Sequence, residues 1–331
     1  MRARGRRPRT VSRAATRLLG VALVVAATFS AAPTGTGSAG AGSRWPAAPA
    51  AAASGPSPAC RPGAPLPRPG VTVRHLRSGG HDRTYRLAVP PSAAPSTPAP
   101  LVLVLHGYTS SAAVVAARSG MESAGTAAGA VVVTPQGAGS PSRWSLPGIL
   151  PGPDDVAFLA DLLDRVAGTV CVDRGRVVVA GFSNGAGMAT VLACSMGARL
   201  AGIALVAGAN LEAGCKWPTG LPVVAFHGTA DATVPLAGGP VLHGLLHARP
   251  VVESVAEWAE RDGCGPVPAR LQVAPGVVRL RWTGCAHPQG VALYRIAGWE
   301  HWWPRDVPTD VAPRPAPVDA TAVILQAFGI A

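Results

Sequence analysis

The chain has 331 residues, 48% of them hydrophobic, and its 29 basic and 17 acidic residues give a formal net charge of +12. Eight of the arginines lie in residues 1–45, which contain no acidic residue, so the charge of the remainder is close to balanced. Residues 70–331 show no basic stripe of the kind that binds nucleic acid, and we therefore exclude a nucleic-acid partner.

The N-terminal residues 1–32 predict a secretory signal peptide. Residues 1–17 carry seven Arg, and an apolar run of 12 residues follows at 18–29. A bilayer requires about 20 apolar residues, so this run is too short to be a membrane span. Small residues that suit signal cleavage occur between 30 and 41. We expect a secreted, extracellular protein without membrane attachment after cleavage.

Residues 33–69 are rich in Ala, Pro, Gly and Ser, and this composition predicts a disordered linker that buries no core. A single domain is then expected over 70–331. The linker contains a Gly-x-Gly-x-x-Gly pattern at 35–40, but no strand precedes it and no helix follows it. Because a dinucleotide site needs both elements, we predict no cofactor here.

The predicted strands fall into two classes. Residues 71–76 and 83–89 alternate between apolar and polar, as half-buried antiparallel strands do. Later strands are continuous apolar runs, which are typical of parallel strands buried on both faces. These runs lie at 101–105, 130–133, 177–180, 203–206 and 223–226, and two later strands are expected at Val277–Trp282 and Val291–Ile296.

Helical segments lie between these strands. Residues 155–166 place their apolar side chains on one helical face behind a plausible N-cap at Asp154, and residues 318–328 predict a closing helix. Alternating strands and helices predict a doubly wound α/β fold: a mostly parallel sheet with an antiparallel N-terminal hairpin and helices on both faces.

The pentapeptide Gly-Phe-Ser-Asn-Gly at 181–185 lies between the apolar run 177–180 and a helical segment starting at Ala186. A strand, a sharp turn through Gly-x-Ser-x-Gly and a helix together form the nucleophile elbow of α/β-hydrolases. In such a glycine-rich chain the pentapeptide alone is weak evidence, so the flanking elements carry the assignment. They predict Ser183 as a nucleophile.

Two further strand ends supply an acid and a histidine. Asp231 follows the run 223–226, and His301 follows Val291–Ile296. The chain order Ser183, Asp231, His301 is that of the α/β-hydrolase triad. We expect His301 to act as general base and Asp231 to hold its tautomer. The backbone N–H groups of Tyr108 and Asn184 are predicted to bind the oxyanion.

Other acidic residues are weaker candidates for the triad. Glu212 and Asp262 do not directly follow a parallel strand, and Glu300, beside the predicted base, is expected to have a structural or pocket-lining role.

The chain resembles a family of secreted polyhydroxybutyrate depolymerases and feruloyl and acetylxylan esterases. The motifs are Leu-His-Gly at 105–107, Gly-Phe-Ser-Asn-Gly-Ala-Gly-Met-Ala at 181–189, His-Gly-Thr-Ala-Asp-Ala-Thr-Val-Pro at 227–235 and Gly-Trp-Glu-His-Trp-Trp-Pro at 298–304. The resemblance covers about 70–328, and Asp-Asp-Val-Ala-Phe at 154–158 and residues 172–177 are similar too. It implies the α/β-hydrolase fold, ester hydrolysis and the triad Ser183, Asp231 and His301. Trp299 stands where this family usually has a second glycine.

The aromatic side chains around the predicted base have two interpretations. Trp299, Trp302 and Trp303 are candidates for lining the substrate pocket, and core packing explains them equally well. His106 and His227 also end strands, and we expect them to be hydrogen-bonded structural residues.

Six cysteines follow the predicted signal peptide, and an even number in an exported protein favours disulfides. Cys264 and Cys285 flank a strand-like segment and are the first candidate pair. Cys171 and Cys194 bracket the elbow strand and its helix, which leaves Cys60 with Cys215.

Metal binding is not expected. The chain has no Cys-x-x-Cys motif, and His243 and His247, although spaced like helical metal ligands, have no third ligand nearby.

These observations predict a monomeric serine ester hydrolase that forms an acyl-enzyme. The expected partner is an ester substrate, including polymeric ones: a polyhydroxyalkanoate, or a feruloyl or acetyl ester of a polysaccharide. The alternatives are a secreted serine peptidase or acyltransferase on the same fold, and a secreted binding protein without catalytic activity.

Overall fold

A computed structural model describes residues 54–65, 67–211, 220–244 and 246–331. The predicted signal peptide, most of the predicted linker, Glu212 and Cys215 lie outside these residues. The described residues all belong to one compact unit.

A ten-stranded sheet forms the centre of the fold. Its strands are β1 (Gly70–Ser78), β2 (His81–Val89), β3 (Ala99–Leu105), β4 (Val131–Pro135), β5 (Val172–Phe182), β6 (Gly202–Val206), β7 (Val223–Gly228), β10 (Ala269–Ala274), β11 (Val277–Trp282) and β12 (Val291–Ile296). Their order across the sheet is β1-β2-β4-β3-β5-β6-β7-β12-β11-β10. The six strands from β4 to β12 in this order pair in parallel, whereas β1 and β2 at one edge and β11 and β10 at the other pair antiparallel. A separate small hairpin consists of β8 (Gly239–Val241) and β9 (Leu246–Ala248).

Helices cover both faces of this sheet, as predicted. They are α1 (Ala112–Ser119), α2 (Met121–Ala127), α3 (Asp155–Ala167), α4 (Asn184–Met196), α5 (Val251–Arg261) and α6 (Ala320–Ala327). Side chains of α3, α4 and α5 belong to one apolar cluster, and those of α1, α2 and α6 to the other.

The central strands carry continuous apolar runs because consecutive side chains enter different clusters. In β3, Leu101, Leu103 and Leu105 pack with the first cluster, and Val102 and Val104 pack with the second. Successive strand residues point to opposite faces, and both faces are buried here. This confirms the parallel, doubly covered sheet that the apolar runs predicted.

Side-chain caps fix the ends of two predicted helices. The Asp154 carboxylate accepts a hydrogen bond from Ala157 N at 2.9 Å and starts α3. Asp319 accepts one from Ala322 N at 3.0 Å and starts α6. Such caps satisfy backbone donors that the first helical turn leaves unpaired.

The predicted disordered linker ends earlier than residue 69. Pro56 forms a β-bridge with Asp173 of β5, Ser57 N donates to Val172 O at 2.9 Å, and Ser57 and Ala59 are buried. Composition did not reveal this because small residues bind here through backbone hydrogen bonds and a disulfide, without large apolar side chains.

The disulfides of the described residues bear on all three predicted pairs. Cys264 pairs with Cys285, as predicted. Cys171 pairs with Cys60, not with Cys194. The bridge from Pro56 to Asp173 brings Cys60 to the start of β5, where Cys171 lies. Cys194 is also disulfide-bonded, whereas the predicted Cys60–Cys215 pair is excluded on the Cys60 side.

Within the described residues, no helix combines the length and the apolar character that crossing a bilayer requires.

Candidate active site

The loops after β5, β7 and β12 bring Ser183, Asp231 and His301 together at the carboxyl edge of the sheet. His301 Nε2 lies 2.9 Å from Ser183 Oγ, and His301 Nδ1 lies 2.7 Å from Asp231 Oδ2. Ligands of open parallel sheets bind at this edge. The three side chains therefore have the connectivity that a nucleophile, a base and an orienting acid require.

The backbone at Ser183 adopts a conformation that few non-glycine residues tolerate. Its φ is 53° and its ψ is −119°, and it directly precedes α4. A Cβ at Gly181 would lie 2.1 Å from Gly185 O, and one at Gly185 would lie 2.3 Å from Leu105 O. Only glycine fits at either position, so the two glycines permit the sharp turn that exposes the serine hydroxyl.

Asp231 is buried and uses both carboxylate oxygens. Oδ1 accepts the N–H groups of Thr233 at 3.0 Å and Val234 at 2.8 Å, and Oδ2 faces His301. The loop after β7 thus fixes the carboxylate in one orientation. Of the other acidic residues considered for the triad, Asp262 contacts His287 instead of His301, and Glu300 is exposed.

The two amides predicted for the oxyanion lie beside Ser183. Asn184 is the first residue of α4, where a backbone N–H has no acceptor inside the helix. A Cβ at Gly107 would lie 3.3 Å from Ser183 Cβ, so the loop carrying Tyr108 packs against the elbow. Tyr108 and Asn184 line the same cavity as Ser183 and His301.

His106 and His227 are buried and hydrogen-bonded. Burial lowers the pKa of His106, and its ring lies between Gly107 O, 2.7 Å from Nδ1, and Gly137 N, 2.9 Å from Nε2. Burial likewise lowers the pKa of His227, whose Nε2–H donates to Val234 O at 2.8 Å. Both rings are therefore neutral at pH 7 and hold loops of the site in place.

A cavity of about 820 Å³ opens at Ser183 and His301. Of the three candidate tryptophans, Trp302 lines it. Trp299 is buried and donates its indole N–H to Trp302 O at 3.2 Å, so it packs in the core instead of lining the pocket. Trp303 is buried too, donates to Thr321 Oγ1 at 3.0 Å, and reaches only a small recess of about 20 Å³.

Sequence reasoning missed the aliphatic wall of this cavity. It is formed by Leu146 and Leu150 from the loop before α3, by Leu211, and by Val241 and Leu242 from the small hairpin. These residues form no sequence motif, because three segments remote from one another in sequence bring them together.

The described residues bring three possible metal-binding side chains together: Asp262, Cys264 and Cys285. Both sulfurs are bound to each other in a disulfide, so they are not thiolate ligands. Of the histidine pair considered above, His247 is exposed, and the side chain of His243 lies outside what the structure describes.

Comparison with known proteins gives consistent matches. The phospholipase/carboxylesterase family matches residues 157–250. The protein NocK of Nocardia uniformis subsp. tsuyamanensis, which carries the name of an esterase, is 32% identical over 76% of this chain and 78% of its own length. Feruloyl esterase D of Neurospora crassa is 26% identical over 77% of this chain and 85% of its own.

The solved structure of acetyl xylan esterase from Aspergillus awamori matches with a TM-score of 0.57, covering 78% of this chain and all of that one. At 15% identity this likeness shows the fold. Together with the sequence matches, it identifies the chain as an esterase and a member of the α/β-hydrolase family that includes feruloyl esterases, acetylxylan esterases and polyhydroxyalkanoate depolymerases.

Proposed function

We propose that the protein hydrolyses carboxylic esters through an acyl-enzyme on Ser183, with His301 as base and Asp231 as its orienting acid. The observation that carries this proposal is the continuous pair of hydrogen bonds from Ser183 Oγ through both ring nitrogens of His301 to Asp231. An alcohol hydroxyl is a poor nucleophile at neutral pH and needs such a base.

The proposed reaction has two stages, acylation of Ser183 and hydrolysis of the acyl-enzyme. His301 Nε2 takes the Ser183 proton as Oγ attacks the ester carbon, and the carbonyl oxygen becomes an oxyanion. The amides of Asn184 and Tyr108 donate to that oxygen. His301 then gives the proton to the leaving alcohol, and the acyl group remains on Oγ. Water, deprotonated by the same nitrogen, releases the acid and restores Ser183.

The test replaces the nucleophile and a matched serine. Ser183→Ala is expected to lower kcat for a short-chain p-nitrophenyl ester by about 10⁴-fold or more. The control, Ser195→Ala, changes a buried serine within α4, whose hydroxyl has no hydrogen-bond partner among the described residues. It should retain activity. Wild-type turnover by folded Ser183→Ala would refute the proposal.

The cavity supports substrates with a sizeable apolar group. Besides the aliphatic wall, Phe182, Tyr108 and Trp302 line it. An aromatic acyl group packs well against such side chains, so feruloyl esters of polysaccharides are the first candidates. The similarity to feruloyl esterase D supports the same choice. Acetylated polysaccharides and polyhydroxyalkanoates are the alternatives.

Three substrates distinguish these choices: methyl ferulate, acetylated xylan and a short-chain hydroxybutyrate polymer. We expect the highest kcat/KM for methyl ferulate. If the polymer is cleaved and methyl ferulate is not, the aryl-ester proposal is wrong, although the esterase mechanism stands.

We further propose that the enzyme acts outside the cell. The two described disulfides fit an oxidising compartment, and residues 1–32 fit an export signal. N-terminal sequencing of protein recovered from culture medium should place the mature start between residues 30 and 41. An intact N-terminus on cell-retained protein would contradict export.

A further inference from the structure

Trp144 is a fully buried residue that no motif singled out, and its backbone binds the side chain following the nucleophile. Trp144 N donates to Asn184 Oδ1 at 2.7 Å, and Asn184 Nδ2 donates back to Trp144 O at 3.2 Å. Because the backbone of Trp144 donates one of these hydrogen bonds and accepts the other, together they fix both the position and the rotation of the Asn184 side-chain amide. The start of α4, and with it the backbone N–H of Asn184, is thereby tied to the loop that carries Trp144.

The indole of the same residue binds the other side of the site. Trp144 Nε1–H donates to His106 O at 2.9 Å, and the two rings lie 5.1 Å apart. His106 is the residue after β3, and its carbonyl lies two residues before Tyr108 in the loop that packs against Ser183. Trp144 therefore holds the loop after β3 and the elbow after β5 at once.

A buried ion pair holds the loop around Trp144 in place. Asp155 Oδ2 accepts hydrogen bonds from Ser145 N at 2.8 Å and Ser145 Oγ at 2.9 Å. Its other oxygen accepts from Arg83 of β2 at 2.6 Å, and both charged side chains are almost fully buried. Because Asp155 begins α3, the residue next to Trp144 is anchored to a helix and a strand.

We propose that Trp144 is a positioning residue that sets the separation of the two oxyanion-binding amides, those of Asn184 and Tyr108. This inference rests on the proposed function, which gives those amides their role. Donors aimed at a developing charge work because they need not reorganise during the reaction, and loss of one such donor lowers kcat by about 10²–10³-fold. A residue that fixes both donors therefore stabilises the transition state, in which the oxyanion develops, more than it stabilises the bound substrate.

The test variant is Trp144→Phe, which keeps an aromatic ring beside His106 and leaves the backbone bonds to Asn184 in place. It removes only the indole donor to His106 O. The matched control is Trp258→Phe in α5, because Trp258 is also fully buried and its indole nitrogen has no hydrogen-bond partner among the described residues. Both variants lose the same atoms from the interior.

We expect kcat of Trp144→Phe to fall about 10-fold to 100-fold below that of Trp258→Phe, with KM changed by less than about threefold. The inhibition constant of a trifluoromethyl ketone, whose adduct with Ser183 carries the oxyanion, should rise by the same factor as kcat falls. A merely structural role predicts equal kcat in the two variants at equal melting temperature, and that result would overturn the proposal.

Asn184→Ala provides a second test if Trp144→Phe does not fold. It keeps the backbone N–H of Asn184 and removes both bonds to Trp144, so the same loss in kcat and in inhibitor affinity is expected. Unchanged kcat in folded Asn184→Ala contradicts the inference. Failure of the proposed function is distinguishable, since it would appear as activity in Ser183→Ala, whatever these variants do.

Discussion

Asp231 binds His301 through one carboxylate oxygen, Oδ2, and uses the other for its own loop. The Oδ2–Nδ1 distance is 2.7 Å, while Oδ1 accepts the N–H groups of Thr233 and Val234. Because an ionised carboxylate is only an acceptor, Nδ1 of His301 must carry the proton. Nε2 is then free to accept the proton of Ser183.

Asp231→Asn should remove activity while preserving the fold. The amide oxygen can take the place of Oδ1 toward Thr233 and Val234, which directs the NH₂ group at His301 Nδ1. That donor favours the tautomer protonated on Nε2, which cannot accept from Ser183. We expect kcat to fall by about 10⁴-fold, measured with a p-nitrophenyl ester alongside the circular dichroism spectrum.

A second acid–histidine pair, in which the acid is buried, provides the control for this change. Asp262 is buried and contacts His287 Nδ1, and neither residue belongs to the proposed triad. Asp262→Asn alters the same kind of contact without touching Ser183, so it should reduce stability and leave kcat near the wild-type value. Equal loss of kcat in both variants would show that Asp231 has no specific role.

The two described disulfides should contribute unequally to stability. Cys60 and Cys171 are separated by 111 residues, and Cys264 and Cys285 by 21. A longer closed loop restricts the unfolded chain more, so the chain-entropy relation gives about 5 kcal/mol for the first and about 3 kcal/mol for the second.

Paired Cys→Ser variants test this order by urea denaturation. Replacing Cys60 and Cys171 also frees the buried segment around Ser57 and Ala59, which increases the expected loss. A smaller loss for this pair than for Cys264 and Cys285 would show that native-state contacts, not the unfolded chain, dominate the effect.

The parts of the fold that were predictable are those in which burial leaves a regular apolar pattern along the element. In β3 both faces are buried, so its sequence is apolar throughout and predicts a parallel strand. β10 was missed because five of its six residues are exposed at the sheet edge and leave no apolar pattern. The docking of Ser57 was missed because it depends on hydrogen bonds from distant backbone atoms.

The same distinction applies to the site. Ser183, Asp231 and His301 were predictable because each follows a recognisable strand, and parallel strands end at one edge. Trp144 and Leu242 were not predictable, since the position of each side chain depends on contacts with residues remote in sequence. Local pattern therefore identifies the groups that we propose to react, whereas the aliphatic wall and the residues that support the pocket require the tertiary structure.

His227 should make the stability of the protein depend on pH. Burial lowers its pKa below the ordinary 6.5, although the Val234 carbonyl and the charge of Asp231 act in the opposite direction. Between pH 6.5 and the lower pKa of the folded state, the unfolded chain therefore binds a proton that the folded protein does not. The free energy of unfolding is fully retained above pH 6.5 and falls as the pH drops from there through the folded-state pKa.

His227→Gln isolates this contribution, because a Gln amide keeps an N–H donor for Val234 O and does not titrate. The difference in unfolding free energy between the two proteins at about pH 7.5 measures the structural cost of the change alone. At about pH 5 the wild type should have lost more stability than the variant, so this difference should shrink. Urea denaturation at both pH values checks it, and a constant difference would show that His227 binds its proton equally well in the folded and unfolded states.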